Sequence, residues 1–132
     1  YACLSYEKRR FSNAADLQVK MQRDIELLIR NNLVFFQEFD VVKVYYDNGQ
    51  SIVSASVHGA ISAALFEDAV VYRNIKPNRY RLFQVADYIC GIELAAIRYE
   101  HNQAGLTEER FLGSWKDFKR SYLKKLRKHR LG

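Results

Sequence analysis

The sequence predicts an α/β protein. Three observations lead there. Short runs of β-branched and aromatic residues read as strands, helical three- and four-residue repeats alternate with them, and the 132 residues suit one ordinary domain. Hydrophobic residues make up 48% and aromatic residues 14%, with a single proline, which excludes disorder as a description of the whole chain. A membrane span is excluded as well: the best apolar stretch, residues 85–97, is short and carries Asp87 and Glu93.

Taken in order, residues 1–7 (Tyr-Ala-Cys-Leu-Ser-Tyr-Glu) read as a short strand closed by Lys8, Arg9 and Arg10. In residues 13–32, Leu17, Met21, Ile25, Leu28 and Ile29 recur at helical steps, with Asn13 as N-cap and Asn31 and Asn32 as the end. Residues 41–46 (Val-Val-Lys-Val-Tyr-Tyr) form the clearest strand and stop at Asp47-Asn48-Gly49. Asn48-Gly49 could open a hairpin, but the Ala and Ser content and the length of residues 51–66 favour a helix. Residues 69–75 make a second strand, ended by Lys76-Pro77-Asn78. Residues 81–101 form a long helix, apolar nearly all round and so expected to be buried. In residues 114–130, Trp115, Phe118, Tyr122 and Leu126 fall on one helical stripe, with Ser114 as N-cap.

Charge is unevenly spread. Residues 1–114 hold 13 Lys and Arg against 14 Asp and Glu, whereas residues 115–132 hold eight against Asp117 alone. The formal net charge of +6 therefore sits in the last eighteen residues, at Lys116, Lys119, Arg120, Lys124, Lys125, Arg127, Lys128 and Arg130. Such a block reads as a localised surface for anions, nucleic acid first among them, or as a solvated helix face docked by its apolar stripe. The first reading is favoured because ordinary surfaces intersperse both signs. Cys3 and Cys90 lie far apart in apolar surroundings, which predicts buried, reduced thiols and a cytoplasmic protein. The opening residues lack a charged leader and a small-residue cleavage site, so they do not read as a secretory signal.

Two carboxylates could carry chemistry. Asp47 ends a strand, where ligands of open α/β sheets collect, although Asp-Asn-Gly is also an ordinary turn. Asp87 sits inside the most apolar helix, on one face with Gln84 and Gly91. A buried carboxylate there needs a partner, either a metal or protein donors. A strand-end Asp and a mid-helix Asp converging on one point would suit Mg²⁺ or Mn²⁺, and paired ions of this kind cleave phosphodiesters. Asp16, Asp24, Glu26, Glu38 and Glu93 are further acids for which a solvated charge is the default. His58, His101 and His129 show no metal-ligand spacing, and His58 reads as an exposed or hydrogen-bonded helix residue.

Residues 44–50 (Val-Tyr-Tyr-Asp-Asn-Gly-Gln) and 83–91 (Phe-Gln-Val-Ala-Asp-Tyr-Ile-Cys-Gly) closely resemble two signature segments of the domain-of-unknown-function 3800 family, placed in the ribonuclease H-like superfamily. The resemblance implies a mixed sheet flanked by helices and a metal-dependent nuclease or phosphoryl-transfer enzyme acting on nucleic acid. Asp47 and Asp87 would be its acids, and Gln84, Asn48 and Gln50 would support them. The alternative is a non-catalytic nucleic-acid-binding or protein-interaction module of the same fold. The family pattern opens with an Asp-Glu-Ser-Gly strand that is absent here. Residues 1–7 would then be a third strand, and a preceding segment or another chain is expected to complete the sheet.

Overall fold

A computed structural model describes residues 1–46, 49–74 and 79–131. They fall into two compact units, Ser5–Arg79 and the pair of segments Tyr1–Leu4 and Tyr80–Gly132.

In the first unit, a 3₁₀ turn (Lys8–Arg10) leads into α1 (Ala14–Asn31), then α2 (Leu33–Gln37), β1 (Val42–Tyr46), α3 (Ser51–Ala64) and β2 (Val70–Asn74). The Asn13 side chain caps α1 by accepting from the Asp16 N–H at 2.9 Å. Ion pairs Lys20–Asp24 and Glu26–Arg30, one turn apart, support its exposed side. The α1 helix packs along α3. Small residues on α3 permit this closeness: Ser56 and Ala60 are fully buried, and a Cβ on Gly59 would stand 2.6 Å from the Gln22 side chain. The Ser56 hydroxyl donates to Gln18 of α1 at 3.2 Å, and Arg30 donates to the Ala63 carbonyl at 3.1 Å. Strands β1 and β2 pair in parallel, with Val42 opposite Val70 and Tyr46 opposite Asn74. The α3 helix is the crossover that parallel pairing requires.

This architecture overturns the expected ribonuclease H-like mixed sheet. The described residues are mostly helical, and the sheet has two strands. Residues 1–7 are not a strand: Tyr1 bonds to the far end of the chain, its ammonium donating to the His129 carbonyl and its carbonyl accepting from the Leu131 N–H, each at 2.7 Å, and the Glu7 carbonyl accepts from the Arg10 N–H in the 3₁₀ turn at 3.0 Å. The predicted strands at 41–46 and 69–75 are present as Val42–Tyr46 and Val70–Asn74, Ile75 lying outside the described residues, and the helices at 13–32 and 51–66 are present with ends one or two residues shorter. The breaker Lys76-Pro77-Asn78 lies outside the described residues.

In the second unit, α4 (Arg81–Glu100) is followed by α5 (Leu106–Leu112), α6 (Trp115–Phe118), a π-helical turn (Lys119–Leu123) and α7 (Lys124–Arg127). The core gathers Ile92, Ala95, Ala96 and Tyr99 of α4 against Phe118 and Leu123, with Ala104, Leu112, Trp115 and Leu126 packed around them. Full burial of α4 does not occur. Its second half is buried on one side, whereas Leu82, Val85 and Tyr88 in the first half are more than half exposed.

Candidate nucleic-acid interface

The basic segment is built on its apolar side first. Gly113 joins α5 to α6 at φ 81°, a left-handed geometry that favours glycine. The Tyr99 hydroxyl donates to the Gly113 carbonyl at 2.6 Å and anchors this turn on α4. Ser114 then caps α6 by accepting from the Asp117 N–H at 3.3 Å, as its position predicted. Tyr99, Trp115, Phe118 and Tyr122 stack in an offset series, ring centroids 5.2–6.0 Å apart.

The π turn alters the predicted stripe. It adds a residue between Phe118 and the next inward position, so Leu123, 2% exposed, takes the place expected for Tyr122, which is 36% exposed. Such bulges are frequent at functional sites. With Trp115, Phe118, Leu123 and Leu126 turned to α4, the helix keeps no free apolar face for a lipid surface.

On the outside, Lys116, Lys119, Arg120, Lys124, Lys125 and Lys128 are all exposed. Lys119 lies over the Trp115 ring at 5.5 Å, a cation–π contact. Arg120 reaches Asp117 at 3.4 Å, an exposed pair of small energetic weight. Among the described residues Lys116, Lys119, Lys124, Lys125 and Lys128 form no ion pair.

Arg127 is the exception among the predicted phosphate contacts. Its guanidinium grips Glu93 of α4, with Nη2 to Oε2 at 2.7 Å and Nε to both oxygens at 3.3 Å. Glu93 is 6% exposed and also accepts from the Tyr1 hydroxyl at 2.7 Å. The Arg127 guanidinium holds the Glu93 carboxyl below the usual range, and the Tyr1 bond adds to this, while burial acts the other way. Burial and the bond to Glu93 push the Tyr1 hydroxyl up to about 12. The Arg127–Glu93–Tyr1 group thus ties the basic helix and the chain start to α4. A carboxylate in the most apolar helix does need a partner, but the residue is Glu93, not Asp87. The signal was present in the run Ile92-Glu93-Leu94-Ala95-Ala96.

Asp87 is exposed, as are Gln84 and Gly91. One helical turn to either side of Asp87 stand Phe83, Gln84, Cys90 and Gly91, none a carboxylate. Asp47 and Asn48 lie outside the described residues. Gln50 is exposed and starts α3, its carbonyl accepting from the Val53 and Ser54 N–H groups at 3.1 Å. It lines a cavity of about 400 Å³ with Tyr6, Lys8, Leu17, Met21 and Ser51. Among the described residues no group of three or more His, Cys, Asp or Glu side chains is placed to hold a metal ion. His58 is neither exposed nor hydrogen-bonded as expected. It stacks on Tyr72 at 4.1 Å and meets the Tyr46 ring edge-on at 4.8 Å, and its Nε2 is buried without a hydrogen-bond partner among the described residues.

No helix among the described residues is long and apolar enough to cross a membrane. Comparison with protein-family models, curated proteins and solved structures finds no match.

Proposed function

We propose that this protein binds nucleic acid through the outer side of residues 116–128. One observation carries the reading: the apolar side of the helix is spent on α4, while its exposed lysines have no acidic partner among the described residues. Cations in a row, free of internal ion pairs, are what phosphates replace counterions against. Contact by the six cations other than Arg127 gives a salt slope of about −4 on a single strand and about −5 on a duplex. Fluorescence anisotropy with single-stranded and duplex oligonucleotides across a salt series measures it. A slope near zero, or no binding at low salt, overturns the proposal.

The metal-dependent cleavage expected from the resemblance is a separate proposal with a separate test. Full-length protein and Asp87→Asn are compared for Mn²⁺-dependent nuclease activity, and equal rates remove Asp87 from any catalytic account. A strand from a preceding segment or another chain, pairing with an edge of the β1–β2 sheet, is likewise a proposal. So is a cytoplasmic location, supported by the two free thiols that a reducing compartment maintains.

A further inference from the structure

We infer that the nucleic acid held at residues 116–128 is single-stranded, with one unpaired base stacked on the Tyr122 ring. This rests on the nucleic-acid reading above and names its class of ligand. The π turn places the ring: by giving the inner position to Leu123, it leaves Tyr122 36% exposed. Tyr122 ends an aromatic series. Its ring stacks on Phe118 with centroids 6.0 Å apart and planes 25° from parallel, and among the described residues no ring follows it. Phe118 is fully buried and stacks in turn on Tyr99 at 5.2 Å and on Trp115 at 5.9 Å. Tyr122 is thus supported by groups that packing already fixes, so binding a base there orders little that is not ordered before.

Cations flank the ring. Lys119 precedes Tyr122 by three residues and Lys125 follows it by three, about one turn to either side. Both are exposed, and neither forms an ion pair among the described residues. Lys119 also lies over the Trp115 ring at 5.5 Å, which holds its ammonium beside the aromatic series. An exposed ring between free cations is what a single strand engages: phosphates go to the ammonium groups while a base lies on the ring, and every base has such a face. In a duplex the faces of each internal base are covered by its neighbours, so the ring finds no partner unless a base is flipped out. The lysines alone bind either form, and the ring selects the single strand. Stacking neutralises no phosphate, so the ring adds affinity without adding to the salt slope.

Fluorescence anisotropy with the full chain compares three ligands of equal length: a mixed-sequence single strand, its duplex, and an abasic strand that keeps the phosphates and lacks the bases. Wild type is expected to bind the single strand more tightly than the abasic strand at every salt concentration. Tyr122→Leu keeps an apolar group against Phe118 and removes the π face. It is expected to weaken single-strand binding about 5-fold or more with the salt slope unchanged, and to leave duplex and abasic-strand binding as in wild type. Tyr122→Phe retains the π face and is expected to bind the single strand like wild type. Unchanged single-strand affinity in Tyr122→Leu overturns the inference and leaves the nucleic-acid reading standing. An equal loss on all three ligands also overturns it, because the ring would then act through the helix and not on a base. Wild type that binds none of the three overturns the nucleic-acid reading itself.

Discussion

Glu93 and Asp87 lie on one helix, yet the structure gives them opposite environments, and substitution separates them. Glu93 is bonded by Arg127 and Tyr1 on the buried side of α4. Glu93→Gln is expected to cost about 2 kcal/mol, since it leaves a partly buried guanidinium without its charge partner. Its pH dependence has a definite sign. The folded carboxyl titrates below the unfolded value of about 4.3, so its contribution is present above that pH and is lost as pH falls through the lower folded value. Urea unfolding at neutral pH and at successively lower pH measures both effects, and the variant should lack this part of the acid destabilisation. Asp87→Asn, at an exposed position, is expected to change stability by less than about 0.5 kcal/mol and to leave nucleic-acid affinity unaltered. A large stability loss in Asp87→Asn would contradict its exposed placement.

Among the elements, the π turn decides which side chains hold the basic segment down. An unbroken α-helix carries Tyr122 to the inner side, and the three- and four-residue spacing of its apolar positions reads that way. The structure instead buries Leu123. Leu123→Ala is therefore expected to cost about 2–5 kcal/mol, and Tyr122→Ala about 1 kcal/mol or less. Thermal or urea unfolding of the two variants distinguishes the registers, and the reverse ranking would restore the uninterrupted helix. The α1–α3 packing has a similar dependence on small residues. Ala60 is fully buried between the helices, and Ala60→Leu is expected to destabilise by about 1–3 kcal/mol through overpacking. Local periodicity and capping made α1, α3, both strands and the start at Ser114 legible in the sequence. The short helices α2 and α5 and the π turn were not, because short elements are chosen by packing rather than by propensity.

For the molecule as a whole, charge is the property that composition reports most directly. The +6 net charge is concentrated after residue 114, and the structure places those cations on exposed positions while pairing Arg127 with Glu93. Reversing two exposed lysines in Lys124→Glu/Lys125→Glu is expected to weaken nucleic-acid binding and to reduce the salt slope by about 2, one for each phosphate no longer neutralised. The unfolding midpoint should stay close to wild type, since neither lysine is paired or buried. A variant that binds as tightly as wild type moves the interface elsewhere. The expected multistranded sheet failed at this same scale. Of the strand-like residues at 1–7, Tyr1 bonds its backbone to residues 129 and 131, a choice between partners far apart in the chain that local pattern does not encode.

The sequence by itself determined the long helices, the two strands and the basic carboxyl-terminal block, because period, capping and charge act between near neighbours. Tertiary structure decided that Glu93 rather than Asp87 is the buried acid, and that Arg127 of the basic block is paired with it. Each of these outcomes depends on which distant group shares a buried face. Desolvation and pairing have their energetic weight only once that face has formed.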